Sequence, residues 1–119
     1  MELKKLVKET HEMAKEKGFW DGKRNIGEKL MLIVSELGEA LEAHRTNKLA
    51  DLKKFEKDND SDWIKSFEHN IKDTFEDELA DAFIRLADLC GALDIDIEKF
   101  VELKMKYNSN RQRLHGKRY

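Results

Sequence analysis

Two short segments constrain the fold most, because each places two carboxylates three residues apart in helix-favouring surroundings. The first segment carries Glu36 and Glu39, and the second carries Glu78 and Asp81. Side chains at this spacing leave one face of a helix, with Cβ atoms roughly 5–6 Å apart. Two such pairs facing each other across a bundle would form a cage of four carboxylates. Because like charges repel and burial adds to the cost, we expect the cage to hold magnesium, or alternatively manganese.

The rest of the chain favours helices around these pairs. It contains no proline and only six glycines in 119 residues, a length that suits one domain. Hydrophobic periodicity predicts four long helices, at about 3–17, 26–46, 74–93 and 97–111. We therefore predict one all-α, four-helix-bundle-like domain over residues 1–119.

Three further segments lie outside these four helices. Residues 47–60 carry dense mixed charge and are predicted to form a connection, with or without a helical turn. Asp60 or Ser61 is predicted to cap a helical piece that contains Trp63 and Phe67. The sequence leaves open whether this piece continues into the third long helix or breaks near residues 73–74. Residues 112–119 are predicted to form a basic C-terminal arm.

Apolar spacing predicts which helix faces form the core. The second long helix has a predicted core arc of Leu30, Ile33, Val34, Leu37, Ala40, Leu41 and His44, and the third has Leu79, Ala82, Phe83, Leu86, Leu89, Cys90 and Leu93. Glu36 and Glu39 lie beside the first arc next to Leu32 and Ala43, so we expect both to point inward. A strip of Glu78, Asp81, Arg85 and Asp88 borders the second arc.

The fourth long helix carries cations among its predicted buried positions. Lys104 and Arg111 fall in the middle of that face, with Asn108 at its side. Cations at such positions either extend to the surface or meet a buried anion. From Lys104 onward the chain has six Lys or Arg residues and no acid, although its formal net charge is only −2. Bulk charge therefore gives no reason to expect nucleic acid as a partner.

Three features of the sequence bear on the cellular compartment of the protein. The lone Cys90 forms no internal disulfide, the N-terminus lacks the apolar core of a signal peptide, and no apolar run approaches the roughly 20 residues of a membrane span. We expect a cytoplasmic protein with no membrane association.

Together these parts suit phosphoryl chemistry. Magnesium on the four carboxylates would hold phosphate oxygens, with Lys104 and Arg111 neutralising the remaining charge, while water attacks phosphorus. The chain has no Walker-type glycine loop, no dinucleotide fingerprint and no Glu-x-x-His pair for a di-iron bundle. His44 is interpreted as a structural imidazole.

An aromatic pair in a turn allows two interpretations. Phe19 and Trp20 form either a hydrophobic plug at the end of the bundle or a stacking surface for a nucleobase. Under the second interpretation, Trp20 and Asn25 contribute to the base pocket.

The sequence resembles the MazG-like, all-α nucleoside triphosphate pyrophosphohydrolases over about residues 20–119. The resemblance rests on Glu36-x-x-Glu39, Glu78-x-x-Asp81 and the tail pattern Lys104-x-x-Tyr107-Asn108-x-x-Arg111-x-x-x-His115-Gly116-Lys117. It implies a helical bundle that forms homodimers or homotetramers and requires magnesium. It also implies hydrolysis of a (d)NTP between the α- and β-phosphates. Removal of unwanted nucleotides from the cellular pool is one role that the resemblance allows for this reaction. The four acids would then be the catalytic metal ligands, and Lys104, Tyr107, Asn108 and Arg111 would contact phosphates or sugar.

Two departures from the family pattern leave alternatives open. Ser35 stands where the family often has a glutamate, so the group that activates water is either Asp77 or one of the four acids. The gap between the acidic pairs is also longer than is usual in the family. The alternative functions are a non-catalytic module that binds nucleotides or nucleic acid, and a structural dimerisation domain. The structural alternative requires Lys104 and Arg111 to face solvent.

Overall fold

The computed structural model describes residues 2–58, 62–111 and 118, and this part of the chain is all-helical. Its six helices are α1 (Leu3–Glu16), α2 (Ile26–Arg45), α3 (Leu52–Asp58), α4 (Trp63–Asn70), α5 (Phe75–Ala92) and α6 (Ile97–Ser109). The four long helices predicted from periodicity correspond to α1, α2, α5 and α6. The all-α prediction is confirmed, and no helix within the described ranges combines the length and apolarity needed to cross a membrane.

Side-chain caps explain where several helices begin. Asn25 accepts a hydrogen bond from the backbone N–H of Glu28 at the start of α2, and Asp96 caps α6 in the same way. Thr74 caps α5, so the segment from Trp63 onward breaks before the third long helix. The N-cap of α4 is Asp62. The predicted caps, Asp60 and Ser61, lie outside the described residues.

The core forms where α5 packs against both α1 and α2. It is built mostly from small side chains: Ala40, Ala43, Ala82, Ala87, Leu89 and Cys90. At Gly91 of α5, an added Cβ would lie 2.7 Å from the Cβ of His11, so α1 approaches α5 more closely than any larger residue would allow. Helix α6 packs against α1, where the backbone N–H of Leu3 donates to Glu98 Oε1 at 3.0 Å.

Helices α3 and α4 pack on each other and form a hairpin between α2 and α5. Trp63 stacks on Phe67 with ring centroids 5.3 Å apart, and Phe55 meets Trp63 edge to face at 5.7 Å. Backbone hydrogen bonds tie the base of the hairpin to the long helices, because Phe75 donates to the carbonyl of Lys48 at 2.9 Å. The connection predicted at 47–60 contains a helix, α3, rather than a single helical turn.

Most of the predicted core arc of α2 is wrong for the single chain. Ala40 is buried as predicted and Ile33 is half-buried, but the other large apolar residues are exposed, and we call them the α2 stripe: Leu30, Val34, Leu37 and Leu41. His44 is exposed as well, while on α5 Phe83, Leu86 and Leu93 are exposed. The buried side of α2 carries Ala40 together with Glu36 and Ala43, which the sequence places beside the arc. Periodicity identifies an apolar face correctly, but it does not say whether the same chain covers that face.

Candidate metal centre

Three carboxylates from two helices meet in the core. One ligand oxygen each from Glu36 of α2 and from Glu78 and Asp81 of α5 can lie within 4.8 Å of the others. Glu36 is 9% exposed and Glu78 is 6% exposed, while Asp81 is half-buried. We call these three residues the acidic triad. The packing of α2 against α5 produces it, because the i, i+3 pair of α5 then faces Glu36.

Glu78 is the member of the triad whose surroundings most disfavour a charged carboxylate. Burial, followed by the neighbouring carboxylates of Glu36 and Glu39, raises the pKa of Glu78 to about 8. Its Oε2 atom is buried and has no hydrogen-bond partner within the described residues. A buried acceptor without a partner carries a desolvation cost of about 1–3 kcal/mol. An oxygen donor set of this kind fits a hard divalent cation such as magnesium or manganese.

Arg85 is the cation that contacts the triad. Its Nε donates a 2.8 Å hydrogen bond to Oε1 of Glu36. Burial acts to raise the pKa of Glu36, but hydrogen bonds with Arg85, Glu78 and Glu39 and the positive charge of Arg85 together outweigh it. The pKa of Glu36 is therefore lowered overall. The pKa of Asp81 is raised by burial first, and then by the negative charges of Asp77 and Glu36.

Glu39, the fourth predicted ligand, lies beside the triad. Its side chain is exposed, yet its carboxylate is close enough to contribute to the raised pKa of Glu78. Three residues along a helix turn it by about 300°, so Glu39 points about 60° away from Glu36. The structure therefore brings three of the four predicted acids together and leaves the fourth at the rim.

A second acidic group adjoins the triad through the shared Glu78. Asp73, Asp77 and Glu78 also offer oxygens within 4.8 Å of one another. Here Asp77 serves the start of α5, because its Oδ2 accepts a 2.9 Å hydrogen bond from the backbone N–H of Asp73. This arrangement resembles an N-terminal capping interaction.

A groove of about 490 Å³ leads from the triad to the predicted aromatic turn. Glu36, Asp81 and Arg85 lie at one part of its lining, and Phe19 and Trp20 at another; Leu6, Met13, Ile84 and Leu89 add apolar walls. Two of the four predicted acids, Glu36 and Asp81, thus border the same groove as Trp20, which was predicted separately from the sequence.

Trp20 is held by side chains for which the sequence predicts no role. Its Nε1 donates to both carboxylate oxygens of Asp88, at 2.8 and 3.0 Å, and His11 Nδ1 lies 2.8 Å from the same carboxylate. The ammonium of Lys29 lies 4.3 Å from the centroid of the Trp20 ring. Arg85 and Asp88 belong to the strip that borders the apolar arc of α5, so the sequence predicts the helix face on which they lie. It does not predict their partners, which are Glu36 on α2 for Arg85 and His11 on α1 for Asp88.

Other predicted site residues lie away from the groove in the single chain. Asn25 caps α2 and is not among the residues that line the groove. Lys104, Tyr107, Asn108 and Arg111 are all exposed on α6 or directly after it, so the prediction that Lys104 and Arg111 occupy a buried face is wrong for one chain. The Nζ atom of Lys104 lies 5.0 Å from the centroid of the Tyr107 ring, and the Cζ atom of Arg111 lies 5.5 Å from it. His115, Gly116 and Lys117 lie outside the described residues.

Comparisons with protein-family models, curated proteins and solved structures return no match for this chain.

Proposed function

We propose that the protein is a magnesium-dependent nucleotide pyrophosphohydrolase, which cleaves a (d)NTP between the α- and β-phosphates to a (d)NMP and pyrophosphate. One observation carries the proposal: the buried Oε2 of Glu78 has no hydrogen-bond partner among the described residues, and the other two members of its triad, Glu36 and Asp81, border the same groove as Trp20. A cation-binding end and an aromatic end in one groove match the two ends of a nucleotide. The family resemblance supplies the reaction and its possible role in nucleotide-pool house-cleaning.

Glu36, Glu78 and Asp81 would hold the magnesium ion, with Glu39 as a further ligand. When bound, the ion would neutralise the acids and polarise phosphate oxygens. At neutral pH, the raised pKa keeps a proton on Glu78 in the chain alone, so this proton must leave when a cation binds. Manganese, which prefers the same oxygen donors, is the expected substitute.

The remaining groups divide into those that activate water and those that position substrate. Glu39 is well placed to accept the proton of the attacking water, because its carboxylate is exposed beside the buried triad. This assignment compensates for Ser35 at the position where the family often has a glutamate. Trp20 offers an indole for base stacking, and Lys29 offers an ammonium at the same wall of the groove.

The proposed active form is a homodimer or homotetramer. A second copy would cover the α2 stripe and could bring Lys104, Tyr107, Asn108 and Arg111 of its α6 to the groove. These four residues are exposed in the single chain and therefore accessible for such a role. The single chain closes no four-helix bundle around the triad within its described residues, because α6 packs chiefly against α1.

The test is an assay of pyrophosphate released from the common and modified (d)NTPs in the presence of magnesium. We expect equal amounts of (d)NMP and pyrophosphate, and loss of at least about 100-fold in kcat for Glu78→Gln or Asp81→Asn. Glu102→Gln, an exposed change on α6, is the matched control and should retain activity while all three variants keep their helical circular dichroism. Orthophosphate as the first product would reject the assigned bond.

A non-catalytic nucleotide- or nucleic-acid-binding module is the second candidate. It is favoured by the exposed cations of α6 around Tyr107. Nucleic-acid affinity that falls steeply with salt, together with no release of pyrophosphate, would support this candidate over hydrolysis.

A further inference from the structure

Arg85 contacts the acidic triad through only part of its guanidinium. The hydrogen bond to Glu36 uses Nε, and in the described ranges of the chain the two terminal nitrogens donate no hydrogen bond to another residue. The side chain is 37% exposed and lines the groove. A guanidinium has five N–H donors in a planar fork that suits phosphate oxygens. Most of this donor capacity is therefore available on the groove side.

Arg85 also supplies positive charge where a divalent cation would act. Its charge lowers the pKa of Glu36 and acts in the same direction on Asp81, although burial raises the pKa of Asp81 overall. Glu36 cannot give its full negative charge to both a metal ion and Arg85. Any cation that binds the triad must either share Glu36 with the guanidinium or displace it.

We propose that Arg85 is an exchangeable counter-ion, which competes with a divalent cation for Glu36 and, once displaced, binds the phosphates of the substrate. This inference rests on the proposed function for the identities of the cation and the phosphate ligand. When Arg85 loses its hydrogen bond to Glu36, its guanidinium gains charge-assisted hydrogen bonds to phosphate oxygens, and these compensate for the loss. Cation and polyphosphate then favour each other, because each removes the competitor of the other.

The proposal predicts effects of opposite sign when the charge of Arg85 is removed. A unit positive charge about 6 Å from a divalent cation changes its affinity roughly tenfold, even at the dielectric constant of water. Arg85→Gln should therefore bind Mn²⁺ alone about tenfold more tightly than the wild type. The same variant should bind methylenediphosphonate, an inert diphosphate, at saturating magnesium about tenfold more weakly. A residue that only supports the fold would weaken both interactions or neither.

The experiment measures Mn²⁺ by electron paramagnetic resonance and magnesium methylenediphosphonate by calorimetry. Arg45→Gln is the matched control, because Arg45 forms an exposed pair with Glu42 on α2 at 3.6 Å, and it should leave both affinities unchanged. Arg85→Lys keeps the charge but loses the fork, so it should retain the wild-type Mn²⁺ affinity and weaken diphosphonate binding. This second variant keeps the test decisive if Arg85→Gln fails to fold.

The outcomes separate this inference from the function on which it rests. Tighter Mn²⁺ binding with weaker diphosphonate binding supports the exchange. Changes of the same sign, or unchanged affinities, overturn it even when the wild type binds Mn²⁺ and releases pyrophosphate from (d)NTPs. Failure of the wild type to bind either Mn²⁺ or magnesium overturns the proposed metal centre and, with it, the role of Arg85.

Discussion

Glu78 places an acid where the folded chain gives its charge no compensation. Its folded-state pKa of about 8 lies above the ordinary value of 4.5, so the folded protein retains a proton that the unfolded chain releases. The contribution of Glu78 to the free energy of unfolding should therefore be highest below about pH 4.5 and should fall as the pH rises towards 8. The slope approaches about 1.4 kcal/mol per pH unit in the middle of that window. Thermal melts across the window measure it.

Substitution of Glu78 isolates its share of the pH dependence. Glu78→Gln removes the titrating group, so its melting temperature should change little with pH over the same window. Glu102→Gln, on the exposed face of α6, should melt with the wild-type pH dependence. Added magnesium should raise the melting temperature of the wild type most at the alkaline end, where less work is needed to remove the proton. A wild-type melting temperature that rises steadily from about pH 5 to 8 would contradict this role of Glu78.

Asp88 should set the orientation of Trp20. Its carboxylate accepts hydrogen bonds from Trp20 and has His11 Nδ1 at 2.8 Å, whereas an asparagine would turn an NH₂ group towards one of these neighbours. Asp88→Asn should cost about 1–3 kcal/mol in stability and leave the indole less firmly held. In a Trp63→Phe background, Trp20 fluorescence should shift towards that of a solvated indole, and nucleotides should quench it with lower affinity.

The control for this change is Glu12→Gln, because Glu12 is exposed on α1 and takes no part in the hydrogen bonds to Trp20. It should retain both the emission spectrum and the nucleotide affinity of the Trp63→Phe background. Unchanged emission and affinity in Asp88→Asn would show that packing, rather than the carboxylate, positions the indole.

At the scale of the helices, local chemistry made the boundaries predictable. Asn25 and Asp96 are cap-forming residue types that directly precede an apolar periodic run, and both accept a backbone hydrogen bond from the first turn of their helix. The break before α5 was left open by periodicity, since Ile71 and Phe75 both continue the helical spacing. It is decided by Thr74 as a cap and by the left-handed backbone of Asp73, with φ 63°.

The candidate site was predictable only in part, because it combines local spacing with docking between helices. The i, i+3 spacing of Glu78 and Asp81 placed both on one face, and their meeting with Glu36 followed from bundle packing. The hydrogen bond from Arg85 to Glu36 depends on how α5 sits against α2, which spacing does not encode. Likewise, Asp88 was visible as part of a polar strip, but its contact with Trp20 spans 68 positions in the sequence.

The face of α6 marks another limit of the sequence. Apolar spacing treats Phe100, Leu103 and Tyr107 as core, yet all three are exposed in the single chain. An apolar stripe looks the same in sequence whether a helix of the same chain or of a second copy covers it. The position of Lys104 and Arg111 within such a stripe therefore did not predict burial in one chain.

At the scale of the whole molecule, the chain exposes more surface than its mass requires. Its accessible surface is 9641 Å², whereas a compact monomer of 14.0 kDa exposes about 6,700 Å². Its radius of gyration is 17.4 Å, against roughly 13–14 Å for a compact chain of this length. The difference of about 2,900 Å² per chain corresponds to roughly 5,800 Å² over two chains, which matches only the largest obligate homodimer interfaces. The exposed α2 stripe supplies a suitable apolar surface for part of such an interface.

Leu37→Glu tests this assembly, because it places a charge in the middle of the α2 stripe, where the leucine is 48% exposed in the single chain. We expect light scattering to give a multiple of 14.0 kDa for the wild type and a single-chain mass for the variant, with helical circular dichroism retained and pyrophosphate release lost. Met31→Glu is the matched control on the same helix. Met31 is more exposed but lies about 100° around the helix from Leu30, so it should keep the wild-type mass. A wild type that scatters as one chain, or a Leu37→Glu variant that remains assembled, would exclude the α2 stripe as the interface.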